Sequence, residues 1–323
     1  MTSVLAVSGD ALERRQKRAV ADVLVAAVLF AGCNVAWRYG AGPAIGIIGI
    51  RVALGAAIAG GIGKRQRAGS WRTPLRIRSG RTAVVISVLG LIAAGTMFRS
   101  LDGPLAGLAV ACVPAVALLV RDRSGPLATA AALGSSLIAI VGLTAAAGGV
   151  GANSVSWAAA ASAVVFVGLE VASLRTSEIA AEDGLNPTAI VTASMVVGAI
   201  FLFPLSIVMG LLGDPSTLWT AAVAALAVAL FGTVGRILRT AALPAAGVPA
   251  VAASSQVNAL FTAIGGVLIV GDHASIPSLV CTAMAAALGA TAVVFATRWR
   301  LRRDPELGDA LDAVGVRPDG RIG

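Results

Sequence analysis

Charged and amide side chains are scarce where this sequence runs most apolar, so the few that occur there are its candidates for chemistry. Arg51 lies eight residues into the run 43–63, which holds no other charge. An arginine at the centre of a lipid-spanning helix costs roughly 2.5–3.5 kcal/mol on insertion scales, so it needs a partner, water or a ligand. A guanidinium grips carboxylate or phosphate with two parallel hydrogen bonds. Two readings of Arg51 stand: a holder of an anionic group on a solute, or a counter-ion pinning its segment to a neighbour. Glu170 is the only carboxylate well inside such a run, 156–175. It is a candidate proton-coupling group or partner of cationic solutes, against plain pairing with Arg175. Amides and an aromatic complete the candidate solute-binding set: Asn34, Trp37, Gln256 and Asn258 beside Arg51 and Glu170. Gln256 and Asn258 are two residues apart and do not share a helix face, so one can line a cavity while the other bonds a neighbouring helix. Trp37 can stack on a solute or sit in an interfacial aromatic belt. Arg99 and Arg236 stand near the ends of their runs, either as the two mouths of one pathway or as side chains snorkelling to headgroups.

These residues need a lipid-embedded frame. Of 323 residues, 57% are hydrophobic and 13% charged, and mean hydropathy is +0.89. Soluble chains run at about 45–50% apolar and about 25% charged, so a soluble enzyme, a secreted disulfide scaffold and a disordered chain are excluded. A formal charge of +9 is also a mark of nucleic-acid binding. Its basic residues, however, gather at the ends of apolar runs, which is a pattern of membrane topology. Cys33, Cys112 and Cys281 all fall inside apolar runs, and His273 is the one histidine. Neither a disulfide framework nor a metal cluster follows from that usage. No Walker A sequence, Gly-x-Ser-x-Gly elbow or Asp-rich motif is present, so neither an ATP-driven pump, an enzyme nor a cofactor is expected. The first apolar run follows a basic segment, Glu13 to Arg18, and lacks a clear signal-cleavage site.

About 20 apolar residues cross the hydrocarbon layer as a helix. The sequence predicts an all-α integral membrane protein of ten spans: 20–39, 43–63, 81–101, 103–120, 126–147, 156–175, 187–211, 217–241, 245–270 and 275–297. Residues 1–19 form an N-terminal segment and 298–323 a polar tail, around five-helix units at 20–147 and 156–297. With the N-terminus in the cytoplasm, every Lys and Arg except Arg38, Arg51 and Arg99 falls on the inner side. Both termini are therefore expected inside, in the plasma (inner) membrane of a multi-pass protein. Phe30-Ala-Gly-Cys-Asn34-Val-Ala matches Phe166-Val-Gly-Leu-Glu170-Val-Ala at an offset of 136, and Gly95-Thr-Met-Phe-Arg99 matches Gly232-Thr-Val-Gly-Arg236 at 137. Five spans per copy is odd, so the second copy enters the membrane upside down. Such inverted repeats recur in secondary transporters.

Several stretches resemble the EamA-like branch of the drug/metabolite transporter superfamily. Gly32-Cys-Asn34-Val-Ala-Trp37 is similar to that family's opening segment, and Ile50-Arg51-Val52 to its Leu-Arg-Phe motif. Gly103-Pro-Leu-Ala-Gly-Leu-Ala-Val-Ala-Cys-Val-Pro114 is similar to its small-residue fourth span ending in proline. The likeness covers roughly 20–297. An acidic residue that often follows spans 4 and 9 is missing at Arg121 and only partly replaced by Asp272, and Asn258 stands about where a proline belongs. The resemblance implies two inverted five-helix EamA-like repeats and export of a small metabolite or drug by alternating access, with protons as the candidate driving ion. The excess of buried arginine over glutamate points to an anionic or zwitterionic, amino-acid-like cargo. Membrane lipids and the small solute are the expected partners, nucleic acid is not, and a homodimer is left open. The competing readings are an intramembrane enzyme on a lipid-linked substrate, for which only scattered candidate groups exist, and a non-transporting scaffold.

Overall fold

The computed structural model describes residues 9–39, 44–100, 103–119, 125–147, 157–211, 218–271 and 276–303. Asp102, Arg121, Asp272, His273 and the tail beyond Arg303 lie outside them, as does the side chain of Arg99. A chain in hydrocarbon must satisfy its backbone internally, and the described secondary structure is entirely helical. In order, it runs α1 (Gly9–Tyr39), α2 (Ala44–Arg65), α3 (Thr73–Arg76), α4 (Arg78–Ser100), α5 (Gly103–Ala117), α6 (Pro126–Ala147), α7 (Trp157–Glu182), α8 (Pro187–Leu211), α9 (Leu218–Ala246), α10 (Val248–Ala253), α11 (Ser255–Gly265), a π-helical turn (Gly266–Val270) and α12 (Ile276–Arg303).

Eight stretches are long and apolar enough to cross a membrane, within α1, α2, α4, α7, α8, α9, α10 to the π turn, and α12. This makes the chain a multi-pass membrane protein. The other two of the expected ten correspond to α5, of 15 residues, and α6, of 22. At about 1.5 Å per residue, α5 is shorter than the hydrocarbon is thick. Large apolar side chains such as Val164, Phe201 and Leu226 face outward, where acyl chains solvate them.

Packing follows the small residues. α2 lies along α8 and α6 along α12, while α1 packs on α9, α4 on α7, α5 on α6 and α11 on α12. Lipid offers no hydrophobic drive for these contacts, so close approach must supply it. A Cβ at Gly49 would stand 2.4 Å from the Leu202 carbonyl of α8, and one at Gly289 would stand 2.3 Å from that of Ala253. Any side chain at either position would force its helices apart.

One end of the bundle collects many of the basic residues. Ala19 of α1, Ala245 of α9 and Leu301 of α12 form one buried cluster there, so α1 begins and α12 finishes on the same side. Ala83, Ala180, Leu185 and Ile190 pack together, and Thr188 donates to the Gln66 side-chain oxygen at 2.8 Å. The connection 64–80 therefore sits beside the turn between α7 and α8, and α7 reaches the α12 terminus through Glu178 and Arg300, which are 2.8 Å apart. Several helices overrun their apolar cores at this end: α7 reaches Glu182, α9 reaches Ala246 and α12 ends in Arg300, Arg302 and Arg303.

The predicted ninth run, 245–270, is not one regular helix. Gly247, at φ 83°, separates α9 from α10, an angle glycine adopts without strain. Ser254 then divides α10 from α11. Facing it, Pro114 in α5 has no N–H to offer the carbonyl four residues back, that of Val110. The Ser255 hydroxyl donates to that carbonyl at 3.4 Å, and Gln256 Nε2 donates to the Ala111 carbonyl at 3.3 Å. The two irregular segments thus complete one another beside the centre of the bundle.

Candidate functional site

A cavity of about 80 Å³ opens between α1, α2, α4, α5, α7, α9 and the α10–α11 segment. A water requires about 10–15 Å³ of such space, so the cavity holds a few waters as it stands. Its apolar wall includes Val110, Val113, Phe98 and Phe166; the two rings meet edge to face with centroids 6.0 Å apart. Its polar lining comes from three guanidiniums, one carboxylate, two asparagines and the serines Ser254 and Ser255.

Glu170 of α7 pairs with Arg239 of α9, with 2.5 Å between Oε1 and Nη1. The same guanidinium lies over the Phe30 ring at 4.6 Å, a cation–π placement that favours charge in a dry setting. Arg236, one turn earlier on α9, donates from Nη2 to the Ser173 hydroxyl at 3.3 Å. Ser173 and Ser87 are 3.2 Å apart in turn and join α7 to α4. The Arg51 guanidinium sits 6.0 Å from the Trp37 ring centroid. It reaches α9 at Gly232, where a Cβ would lie 2.6 Å from Nη2. Arg51 and Arg236 are 4% and 6% exposed, yet neither forms an ion pair within 4 Å among the described residues. Arg51 Nε and Arg236 Nη1 are buried without a hydrogen-bond partner. At the far side of α1, Asn34 Nδ2 donates to Asn258 Oδ1 at 3.0 Å, and the Thr262 hydroxyl donates to the same oxygen at 3.0 Å.

Of the residues singled out from sequence, Asn34, Trp37, Arg51, Glu170 and Asn258 line this one cavity. Three expectations need correction. Arg236 lines the cavity and does not stand at a mouth, because α9 continues ten residues beyond it to Ala246. Gln256 is fully buried and is not among the lining residues; its Nε2 donates to α5 while its Oε1 has no partner. Arg175 is not the partner of Glu170; it pairs with Glu178, one turn along α7. Trp37 is 1% exposed and packs inside the bundle, not on its outer face. Arg99 belongs to α4, but its side chain lies outside the described residues.

Sequence reading missed Arg239 and Glu178. Arg239 had a signal: it falls three residues after Arg236, on the same helix face. Glu178 lay just past the end of the predicted sixth span and read as loop. It is 1% exposed and holds both Arg175 and Arg300, the latter at 2.8 Å. Arg300 Nη1 also donates to the Pro244 carbonyl at 3.0 Å.

No family model matches this chain, and no curated protein matches it. Among solved proteins it is similar to a crystal structure at a TM-score of 0.63, covering 87% of this chain and 98% of the other. Sequence identity is 17%, so the likeness is one of fold alone.

Proposed function

We propose that the protein is a secondary active transporter of the EamA-like drug/metabolite type, moving a small anionic or zwitterionic solute by alternating access. The observation that carries this reading is the central cavity. It is lined by α1, α2, α4 and α5 from the first half of the chain and by α7, α9 and α10–α11 from the second, and it holds buried charge from both. Buried ionisable groups in a membrane bundle mark solute or proton routes by default, because their insertion cost has to be met by a partner, water or a ligand.

The packing pairs support two inverted five-helix repeats. Equating α1 with α7, α2 with α8, α4 with α9, α5 with α10–α11 and α6 with α12 turns the α1–α9 contact into α7–α4. It turns α5–α6 into α11–α12, and leaves α2–α8 and α6–α12 unchanged. A bundle with that exchange symmetry can adopt a second state in which the halves swap conformations, so that the site opens to the other side.

The basic end of the bundle faces the cytoplasm in this reading, with both terminal segments there. The Glu178 cluster closes that end. The cavity holds only a few waters, so an organic solute must displace side chains and solvent as it enters. Glu170 provides the proton-linked step: its proton and Arg239 compete for one carboxylate. Protonation frees the guanidinium, which ties cargo binding to the proton gradient, and the direction of useful work is export. Catalysis is no part of this function.

Purified protein in liposomes, given a panel of labelled organic acids, amino acids and cationic drugs under an imposed pH gradient, tests it. Gradient-dependent movement of at least one solute is expected. Absence of such movement across the whole panel, with the protein correctly inserted, overturns the reading.

A further inference from the structure

The cavity lining contains Arg51, Arg236 and Arg239 against the single carboxylate Glu170. Arg239 and Glu170 neutralise one another at 2.5 Å. Two positive charges remain, both nine-tenths buried, each with a donor nitrogen that meets no acceptor. They are also neighbours. Arg51 Nη2 lies against Gly232, and Gly232 is one helical turn from Arg236 on the same face of α9. Like charges this close in a poorly solvated space repel, and leaving a buried charge unpaired is strongly destabilising. A structural counter-ion role would place a carboxylate beside each, and among the described residues there is none within 4 Å.

We infer that the site takes a small organic dianion, with one oxyanion group held between the Arg51 and Arg236 guanidiniums across the bare backbone of Gly232. The inference deepens the transporter reading by naming the cargo's charge, and the binding it describes does not depend on transport. Both guanidiniums can donate to one carboxylate or phosphate group, because the absent side chain at Gly232 leaves room for Arg51 to reach α9. A monoanion leaves one positive charge uncompensated, and a cation adds a third. The wall formed by Val113, Phe98 and Phe166 suits a short carbon skeleton better than a free inorganic ion. Succinate and glycerol phosphate share the required chemistry.

The test is binding to the full-length protein in detergent at fixed ionic strength, read as a ligand-dependent rise in melting temperature. The probes are succinate, glycerol 3-phosphate, acetate and glycerol. Both dianions are expected to bind saturably and in competition, at least about tenfold more tightly than acetate, with no response to glycerol. Loss of a charge-assisted contact in Arg51→Gln or Arg236→Gln should weaken them about tenfold or more. Gly232→Ala, which pushes Arg51 away from α9, should weaken them while leaving all charges in place. Should a Gln variant fail to fold, Arg51→Lys and Arg236→Lys retain charge without the planar fork and should show an intermediate loss. Equal affinity for acetate and succinate, or full affinity in Arg51→Gln/Arg236→Gln, overturns the inference. Flux of other solutes without dianion binding would sink this inference alone. Dianion binding without flux of any solute would sink the transporter reading alone.

Discussion

Two clusters of buried arginine and glutamate lie along α7, a few turns apart, and they differ in where their spare donors go. Around Glu178, Arg300 turns to the Leu243 and Pro244 carbonyls, at 3.4 and 3.0 Å. These belong to the last turn of α9, where a helix leaves carbonyls without internal donors and carries partial negative charge. The cluster is a cap that joins α7, α9 and α12. Around Glu170, by contrast, Arg236 turns one nitrogen to the Ser173 hydroxyl, and the guanidiniums of Arg51 and Arg236 face the cavity. Burial and charge are similar in both clusters, so neither property separates scaffold from site. Each cluster also keeps a buried donor without a partner, Arg300 Nε in one and Arg51 Nε and Arg236 Nη1 in the other; the separating property is that Arg51 and Arg236 line the cavity and Arg300 does not.

The largest effect is expected at the cap. Glu178→Ala strands Arg175 and Arg300, and removing one partner of a buried ion pair costs about 3–5 kcal/mol. The expected outcome is a large fall in melting temperature and in the yield of folded protein. A melt equal to wild type would place the cap outside the stabilising contacts. Next in size is Arg51→Ala, which should reduce flux about 10–100-fold through loss of a charged contact while leaving the melt unchanged or higher. Arg51→Lys should keep a remnant of flux. Wild-type flux in correctly inserted Arg51→Ala protein removes that residue from the site.

A subtler separation concerns the pair inside the cavity. Glu170→Gln should abolish the dependence of flux on a pH gradient while downhill exchange of solute continues. Combined with Arg239→Gln in a double-mutant cycle, it should give a coupling of about 0.5–3 kcal/mol. Additive effects on gradient-driven flux would mean that the two groups act separately. The smallest effect is expected for the amides. Asn34→Ala removes a bond between helices worth about 0.6 kcal/mol on average in membrane bundles, and should alter solute affinity as well because Asn34 lines the cavity. Gln256→Met should shift the melt by a similar amount without altering affinity, since Gln256 does not line the cavity and its Nε2 bonds α5. Equal effects of the two substitutions on affinity would erase the distinction between lining and packing.

What could be read from the bare chain follows from how each residue stands out. Arg51 and Glu170 were legible because charge deep in an apolar run has few ordinary explanations. Arg236 and Arg239 were counted among topology-setting charges, because a basic residue near the end of a run can snorkel or turn inward, and hydropathy is the same for both. The extra length of α7 and α9 decided the matter, and that length mixes Ala, Ser and Thr with Glu178, Ile179, Glu182, Leu243 and Pro244, so hydropathy marks no sharp end. The helical membrane class was plain from composition. The division of the 245–270 run was not, since Ser254 is an ordinary helix residue by propensity, and the carbonyl left open by Pro114 lies 145 residues away in the chain from Ser255, which answers it.

That exchanged hydrogen bond has a mechanical consequence. The turn of α5 before Pro114 receives a donor from α11 in place of one from its own axis, so α5 can flex there only if α11 travels with it or the carbonyl is surrendered. The two segments form a joint rather than two independent bends, and force applied to one is delivered to the other at the depth of the cavity.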